Sequence, residues 1–192
     1  MLRKSVMKTQ SKNINFFFNK INENNKSLLE KNDRNLLSLT PLCDYIKILE
    51  QKFENKMNFD GCSKGNPGLA GAGAVIYTNS EEVWSGSTFI GTNSTNNEAE
   101  YAGLILGLEK ALDMNIKTLF VNGDSQLVIN QMTGKYTCNS PNLIPLFQNA
   151  KDLEKCFEKI EYQHLLRNFN HRADELANIA ITDYCVKKLV YK

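Results

Sequence analysis

Between Met57 and Ile90 three extended segments follow one another with too little chain between them for a helical crossover, and their proximity suggests an antiparallel meander. Met57–Cys62 is the first, the loop "SKGNPG" leads to Ala70–Thr78, and "EVWSGSTFI" from Glu82 to Ile90 is the third. The period then switches from two to that of a helix. In "TNNEAEYAGLILGLEKALDMN", Thr95 is an N-cap and Glu98 three residues on completes a capping box. The apolar stripe is Tyr101, Leu104, Ile105, Leu108, Ala111 and Leu112. A strand at Ile116–Val121 turns through "NGDSQLVINQMTG" into a short helix. Ser140–Pro141 opens another helix, apolar at Leu143, Leu146, Phe147, Ala150, Leu153 and Phe157. Ile160–Leu166 is the last strand, and Asn170 caps a terminal helix from His171 to about Lys188. A meander followed by strands that alternate with helices predicts an α/β fold: a central mixed sheet covered by helices, with crossovers after the third and fourth strands.

The chain ahead of Met57 has a different texture. Residues 1–56 carry 11 Lys and Arg against 6 Asp and Glu, whereas residues 57–192 carry 12 against 15. Residues 1–36 read as a basic, Asn- and Lys-rich arm, and residues 37–56 as an amphipathic helix and linker. In that helix Thr40 and Pro41 start a run with Leu42, Tyr45, Ile46, Leu49 and Phe53 on one face. Residues 57–192 form the remaining domain. Residues 1–22 are basic without an acid, which suits a mitochondrial presequence as well as a disordered tail. Five cysteines form no CxxC pair, which fits reduced thiols in an intracellular protein, in cytoplasm or nucleus. With two histidines a zinc cluster has little to draw on, and no apolar run reaches the ~18 residues of a membrane span.

Four acids stand where strands end or helices bury a face. Asp60 ends the first strand and Asp124 follows the fourth. If those strands are parallel neighbours, both side chains leave the carboxyl edge of the sheet, where open α/β folds build their sites. Glu100 is in line with Leu104 and Leu108, and Asp174 with Ala177, Ile181 and Tyr184. Taken singly, each has a local use. Asp60 can cap the "GCSKG" turn, Glu100 can face solvent, Asp124 can cap the short helix, and Asp174 suits a helix amino end. Taken together, four converging carboxylates repel unless a hard divalent cation such as Mg²⁺ joins them.

"FDGCSKGNPGLAGAGAV", "TNNEAEYAGLILGLEKAL", "NGDSQLVINQMTG" and "RNFNHRADELAN" resemble, in order, the four signature blocks of type 1 ribonuclease H, over roughly residues 56–188. The resemblance implies a ribonuclease H-like fold, with a five-stranded mixed sheet in the order 3-2-1-4-5 and helices on both faces. It also implies a two-metal endoribonuclease that hydrolyses the RNA strand of RNA·DNA hybrids and leaves 5′-phosphate and 3′-hydroxyl ends. The catalytic and metal-binding residues it implies are Asp60, Glu100, Asp124 and Asp174, with two Mg²⁺ ions, or Mn²⁺ in their place. Glu98 is the near neighbour of Glu100, and its offset fits the helix cap. By the same resemblance Gly61, Cys62, Asn66, Asn97 and Gln126 line the hybrid's minor groove. Thr95 and Asn66 resemble the family's hold on a DNA phosphate, and Arg167, in the segment before the last acid, is a separate candidate for a phosphate contact. A monomer is expected, with residues 1–56 available to a partner protein.

Two departures from the family pattern stand out. The Trp- and Lys-rich protrusion of some members is missing, and "KYTCNSPNLIPLFQNAKDLEKC" takes its place. Hybrid affinity must then come from elsewhere, and the basic arm is one candidate. The glycine-rich loop that bears a histidine in those members is replaced by "HLLRNFNHRAD", as in the short-loop branch. His171, one turn before Asp174, is an auxiliary candidate or a solvent-facing helix start, and His164 is expected to pack at the sheet. A non-catalytic nucleic-acid binder and a metal nuclease with another strand preference are the rival readings.

Overall fold

The computed structural model describes residues 53–190, so the arm at 1–36 and the amphipathic segment up to residue 52 lie outside the described residues. The meander is β1 (Asn55–Gly65), β2 (Gly68–Thr78) and β3 (Glu81–Ser94). Helix α1 (Asn96–Asp113) leads to β4 (Thr118–Gly123), then to α2 (Gln126–Met132) and α3 (Ile144–Glu154). β5 (Lys159–His164), a 3₁₀ turn at Arg167–Phe169 and α4 (His171–Val190) complete the domain. The sheet has five strands in the order β3-β2-β1-β4-β5. β1–β2 and β2–β3 are antiparallel, while β1–β4 and β4–β5 are parallel. This is the fold expected from the sequence.

The two faces are covered separately. Met57, Phe59, Ala74, Ile76, Leu119 and Val121 meet Tyr101, Leu104 and Leu108 of α1, together with Val128, Ile129 and Met132 of α2. Each of the Val, Leu, Ile, Phe and Met side chains among them, fully buried, adds about 1.5–3 kcal/mol of driving force. On the opposite face Val75 packs against Ala173 and Leu176 of α4. Phe120 also points to that side, where its ring lies 5.4 Å from that of Phe53. Phe53 precedes β1 outside any helix and is buried, so the last apolar residue assigned to the amphipathic segment serves the sheet.

Some boundaries move. β1 and β3 are longer than their apolar stretches, because backbone pairing continues into polar residues: Ser63 pairs Ala70, and Ser94 pairs Gly68. α3 begins at Ile144, with no side-chain cap on Leu143, so Ser140 and Pro141 lie in the turn before it. β5 stops at His164, and Leu166 is exposed.

The start of α1 fixes the site. Thr95 accepts from the Glu98 amide, and the Glu98 carboxylate accepts from the Thr95 amide at 2.7 Å, which closes the capping box. Below it the helix lies backbone to backbone on β1 through two glycines. A Cβ built on Gly61 would stand 2.1 Å from the carbonyl carbon of Ala99 and the amide nitrogen of Glu100. One on Gly103 would stand 2.5 Å from the Asp60 carbonyl oxygen. Only residues without a side chain permit this approach, and it brings Glu100 alongside Asp60.

Candidate active site

The parallel register explains how acids 64 residues apart in the chain become neighbours. Phe59 is the last residue of β1 paired with β4, and its partner is Gly123. Asp60 is the next residue of β1 and Asp124 the residue just past the end of β4, and so the two leave the carboxyl edge side by side. Glu100 descends on them from the first turns of α1. Carboxylate oxygens of Asp60, Glu100 and Asp124 lie within 4.8 Å of one another. Asp60 and Glu100 are buried, at 3% and 5% exposure.

Asp174, the fourth expected acid, is not in that group. It sits in the first turn of α4, half-buried, and Oδ1 accepts from the Arg167 guanidinium at 3.1 Å. It is near enough for its charge to raise the Asp60 pKa. Arg167 projects from the 3₁₀ turn into solvent, and its own pKa is raised by the bond to Asp174. Asn178, one turn along, donates to the second oxygen of Asp174 at 3.3 Å.

Charge repulsion and burial act together on the trio. Burial, and then the Asp124 carboxylate, push the Asp60 pKa up to about 7, against the bond from the Gly61 amide at 2.8 Å. Burial, followed by Asp60 and Asp124, holds the Glu100 carboxyl well above the usual carboxylate range. Glu100 Oε1 receives a long bond of 3.5 Å from Asn96, and Oε2 is buried with no hydrogen-bond partner. An orphaned carboxylate oxygen facing two other acids is costly as it stands. An all-oxygen set of this kind fits a hard divalent cation. The residues present therefore fit the metal.

The local alternatives for two of the acids can be settled. Ser125, not Asp124, caps α2, accepting from the Val128 amide. Glu100 points inward, while Glu98 serves the cap. Asn170 does not cap α4 with its side chain. Its amide nitrogen donates instead to the Phe59 carbonyl and to Asp124 Oδ1, each at 2.8 Å, which orients Oδ1 away from the helix amides. His164 is exposed rather than packed at the sheet, with Nε2 3.1 Å from the Asp124 carbonyl oxygen. His171 is exposed at the start of α4.

The residues expected to meet substrate surround this edge. Gly61 is buried against α1, and Cys62 is half-buried, its thiol pKa raised chiefly by burial. Asn66, Asn97 and Gln126 are exposed. Asn66 Oδ1 accepts from the Asn96 amide at 3.1 Å, and Thr95 Oγ1 donates to Glu98 at 2.7 Å, so the two lie at the same helix start. Sequence reasoning passed over Asn96, whose Oδ1 accepts from the Ser63 amide at 3.2 Å and ties the strand-end loop to α1. It also read Asn170 as a cap alone. The signal for both was an asparagine one helical turn ahead of a candidate acid, Asn96 before Glu100 and Asn170 before Asp174.

A family model described as reverse transcriptase-like matches residues 58–180. The chain is 41% identical over 126 residues to ribonuclease HI of Halobacterium salinarum, covering 65% of this chain and 63% of that protein. It is 42% identical over 124 residues to a bifunctional protein of Mycobacterium tuberculosis, of which it spans only 34%. The solved N-terminal ribonuclease H domain of a Mycobacterium tuberculosis protein superposes with a TM-score of 0.66 at 38% identity, covering 70% of this chain and 97% of that one. The crystal structure of the Halobacterium salinarum enzyme gives 0.64 at 40% identity, covering 67% and 98%. LC11 ribonuclease H1, solved in complex with an RNA/DNA hybrid, gives 0.64 at 33% identity, covering 68% and 99%. The chain belongs to the type 1 ribonuclease H family.

Proposed function

We propose that this chain is a metal-dependent endoribonuclease that hydrolyses the RNA strand of RNA·DNA hybrids and leaves 5′-phosphate and 3′-hydroxyl ends. The observation that carries the reading is the convergence of Asp60, Glu100 and Asp124 at one sheet edge, with a buried oxygen of Glu100 unsatisfied. The hybrid bound to LC11 ribonuclease H1 supports the choice of substrate.

Asp60, Glu100, Asp124 and Asp174 are the residues that hold the cations in this reading. The chemistry supplied by two bound divalent ions, Mg²⁺ or in their place Mn²⁺, is activation of water and stabilisation of the leaving 3′ oxygen. Arg167, exposed and paired only through its tip to Asp174, is placed to meet a phosphate. Gly61, Cys62, Asn66, Asn97 and Gln126 face the minor groove, where the RNA 2′-hydroxyls distinguish the strands. Thr95 and Asn66 take a phosphate of the DNA strand at the α1 start. The basic residues ahead of Met57 add affinity for the hybrid that weakens as salt rises.

Labelled RNA·DNA hybrid, RNA duplex and DNA duplex, each with Mg²⁺, Mn²⁺ or EDTA, test the proposal. Cutting is expected in the hybrid alone, in its RNA strand alone, and only with a cation. Equal cutting of all three would refute the strand preference. Tight binding of hybrid with no cutting under either metal would mean a binding protein that has the fold without the activity.

A further inference from the structure

We infer that Asn170 is a positioning residue of the metal site: its carboxamide ties the Asp124 carboxylate to the main chain of β1, one residue before Asp60. The inference rests on the reading of these acids as metal ligands. Asn170 is 1% exposed, and both of its side-chain N–H bonds are committed, one to the Phe59 carbonyl and one to Asp124 Oδ1, each at 2.8 Å. These two acceptors fix the amide orientation, because a flipped amide would set oxygen against oxygen twice. In this orientation Asn170 Oδ1 is buried and unpartnered. An orphaned buried acceptor is costly, so packing alone would favour an apolar residue here. The two donated bonds account for the amide.

The backbone of the same residue extends the link. The Asp174 amide donates to the Asn170 carbonyl at 3.1 Å, and the Asn170 amide donates to the Arg167 carbonyl at 3.0 Å. One buried residue thus joins β1 beside Asp60, β4 through Asp124, the start of α4 that bears Asp174, and the turn that bears Arg167. A neutral donor suits this place. A lysine or arginine would compete with the cation for Asp124, and an aspartate would add a further negative charge. The amide orients Asp124 and leaves its charge for the metal, as partners of metal ligands commonly do.

Calorimetric titration of the full chain with Mn²⁺ tests this, alongside kcat and KM on the hybrid and melting in EDTA. Asn170→Ala and the uncharged, near-isosteric Asn170→Leu are expected to lower Mn²⁺ affinity about 10–100-fold. A similar drop in kcat and little change in KM should accompany it. Tyr101→Phe removes another buried hydrogen bond, to Gln131. It is expected to lower the melting temperature and leave Mn²⁺ affinity alone. Wild-type Mn²⁺ affinity in both Asn170 variants would overturn the inference. So would losses of affinity that merely track melting temperature across all three variants. If Asn170→Ala does not fold, Asn170→Leu decides. Wild-type protein that binds Mn²⁺ but cuts no hybrid would sink the proposed activity, and the titrations would still decide the role of Asn170.

Discussion

Replacing Asp60 with asparagine is expected to lower hybrid cleavage by about 10²–10³-fold or more and, at the same time, to raise the melting temperature of the metal-free protein. The two effects share one cause. Asp60 is buried beside Asp124 and Glu100, and asparagine keeps the shape while removing the charge that a cation needs and the fold resists. The pH dependence follows from proton binding. Burial first, and Asp124 next, raise Asp60 from 3.8 to about 7 in the fold. Across that interval the folded protein holds a proton that the unfolded chain has lost, so metal-free stability falls as pH rises and levels off above about 7. Each pKa unit is about 1.4 kcal/mol, so the fall is on the order of a few kcal/mol, or several degrees for a domain of this size. Asp60→Asn should remove the Asp60 share of this slope, and Glu100, raised in the same direction chiefly by burial, should keep its own. Millimolar Mg²⁺ should reverse the trend in wild type, because it binds the deprotonated acids. Melting curves at pH 5 and pH 8, with EDTA or Mg²⁺, measure all of this. A variant that turns over like wild type, or that melts lower without metal, contradicts the account.

Gly61→Ala is expected to damage fold and activity together. The new methyl would lie 2.1 Å from the backbone of Ala99 and Glu100, where no flexible side chain can yield. α1 must then retreat from β1, at a cost at or above the usual 1–3 kcal/mol or so of overpacking. A drop on the order of 10 °C in melting temperature should follow. Where the variant still folds, Glu100 is carried away from Asp60, and a displacement near 1 Å costs about 10²-fold in rate. Circular dichroism melts and single-turnover hybrid cleavage check both parts. Wild-type stability would show that α1 does not lie this close to β1.

The element order was legible because each element carries its own period. The alternation of Met57 and Phe59 with Asn58 in β1 and the stripe from Tyr101 to Leu108 are set by burial on one face. β2 is instead a continuous run of small and apolar residues buried on both faces, and each pattern leaves a direct mark on sequence. The strand order and the acids at the sheet edge came through the four signature blocks, and the β1–β4 register gives their physical basis. Polar residues that extend a strand by backbone pairing, as at Ser63 and Ser94, leave no such mark. Asn170 was misread for a related reason. An asparagine before a helix has a ready local use, and its partners, Phe59 and Asp124, are 111 and 46 residues away. Arg167 and Asp174 were each picked out, but their pairing depends on the 3₁₀ turn, which has no periodic signal.

Anomalous scattering from crystals grown with Mn²⁺ and an uncleavable RNA·DNA hybrid tests the central claim most directly. Manganese peaks coordinated by Asp60, Glu100 and Asp124, with a hybrid phosphate beside them, are the predicted result. A bound hybrid with no manganese at these three carboxylates would contradict it.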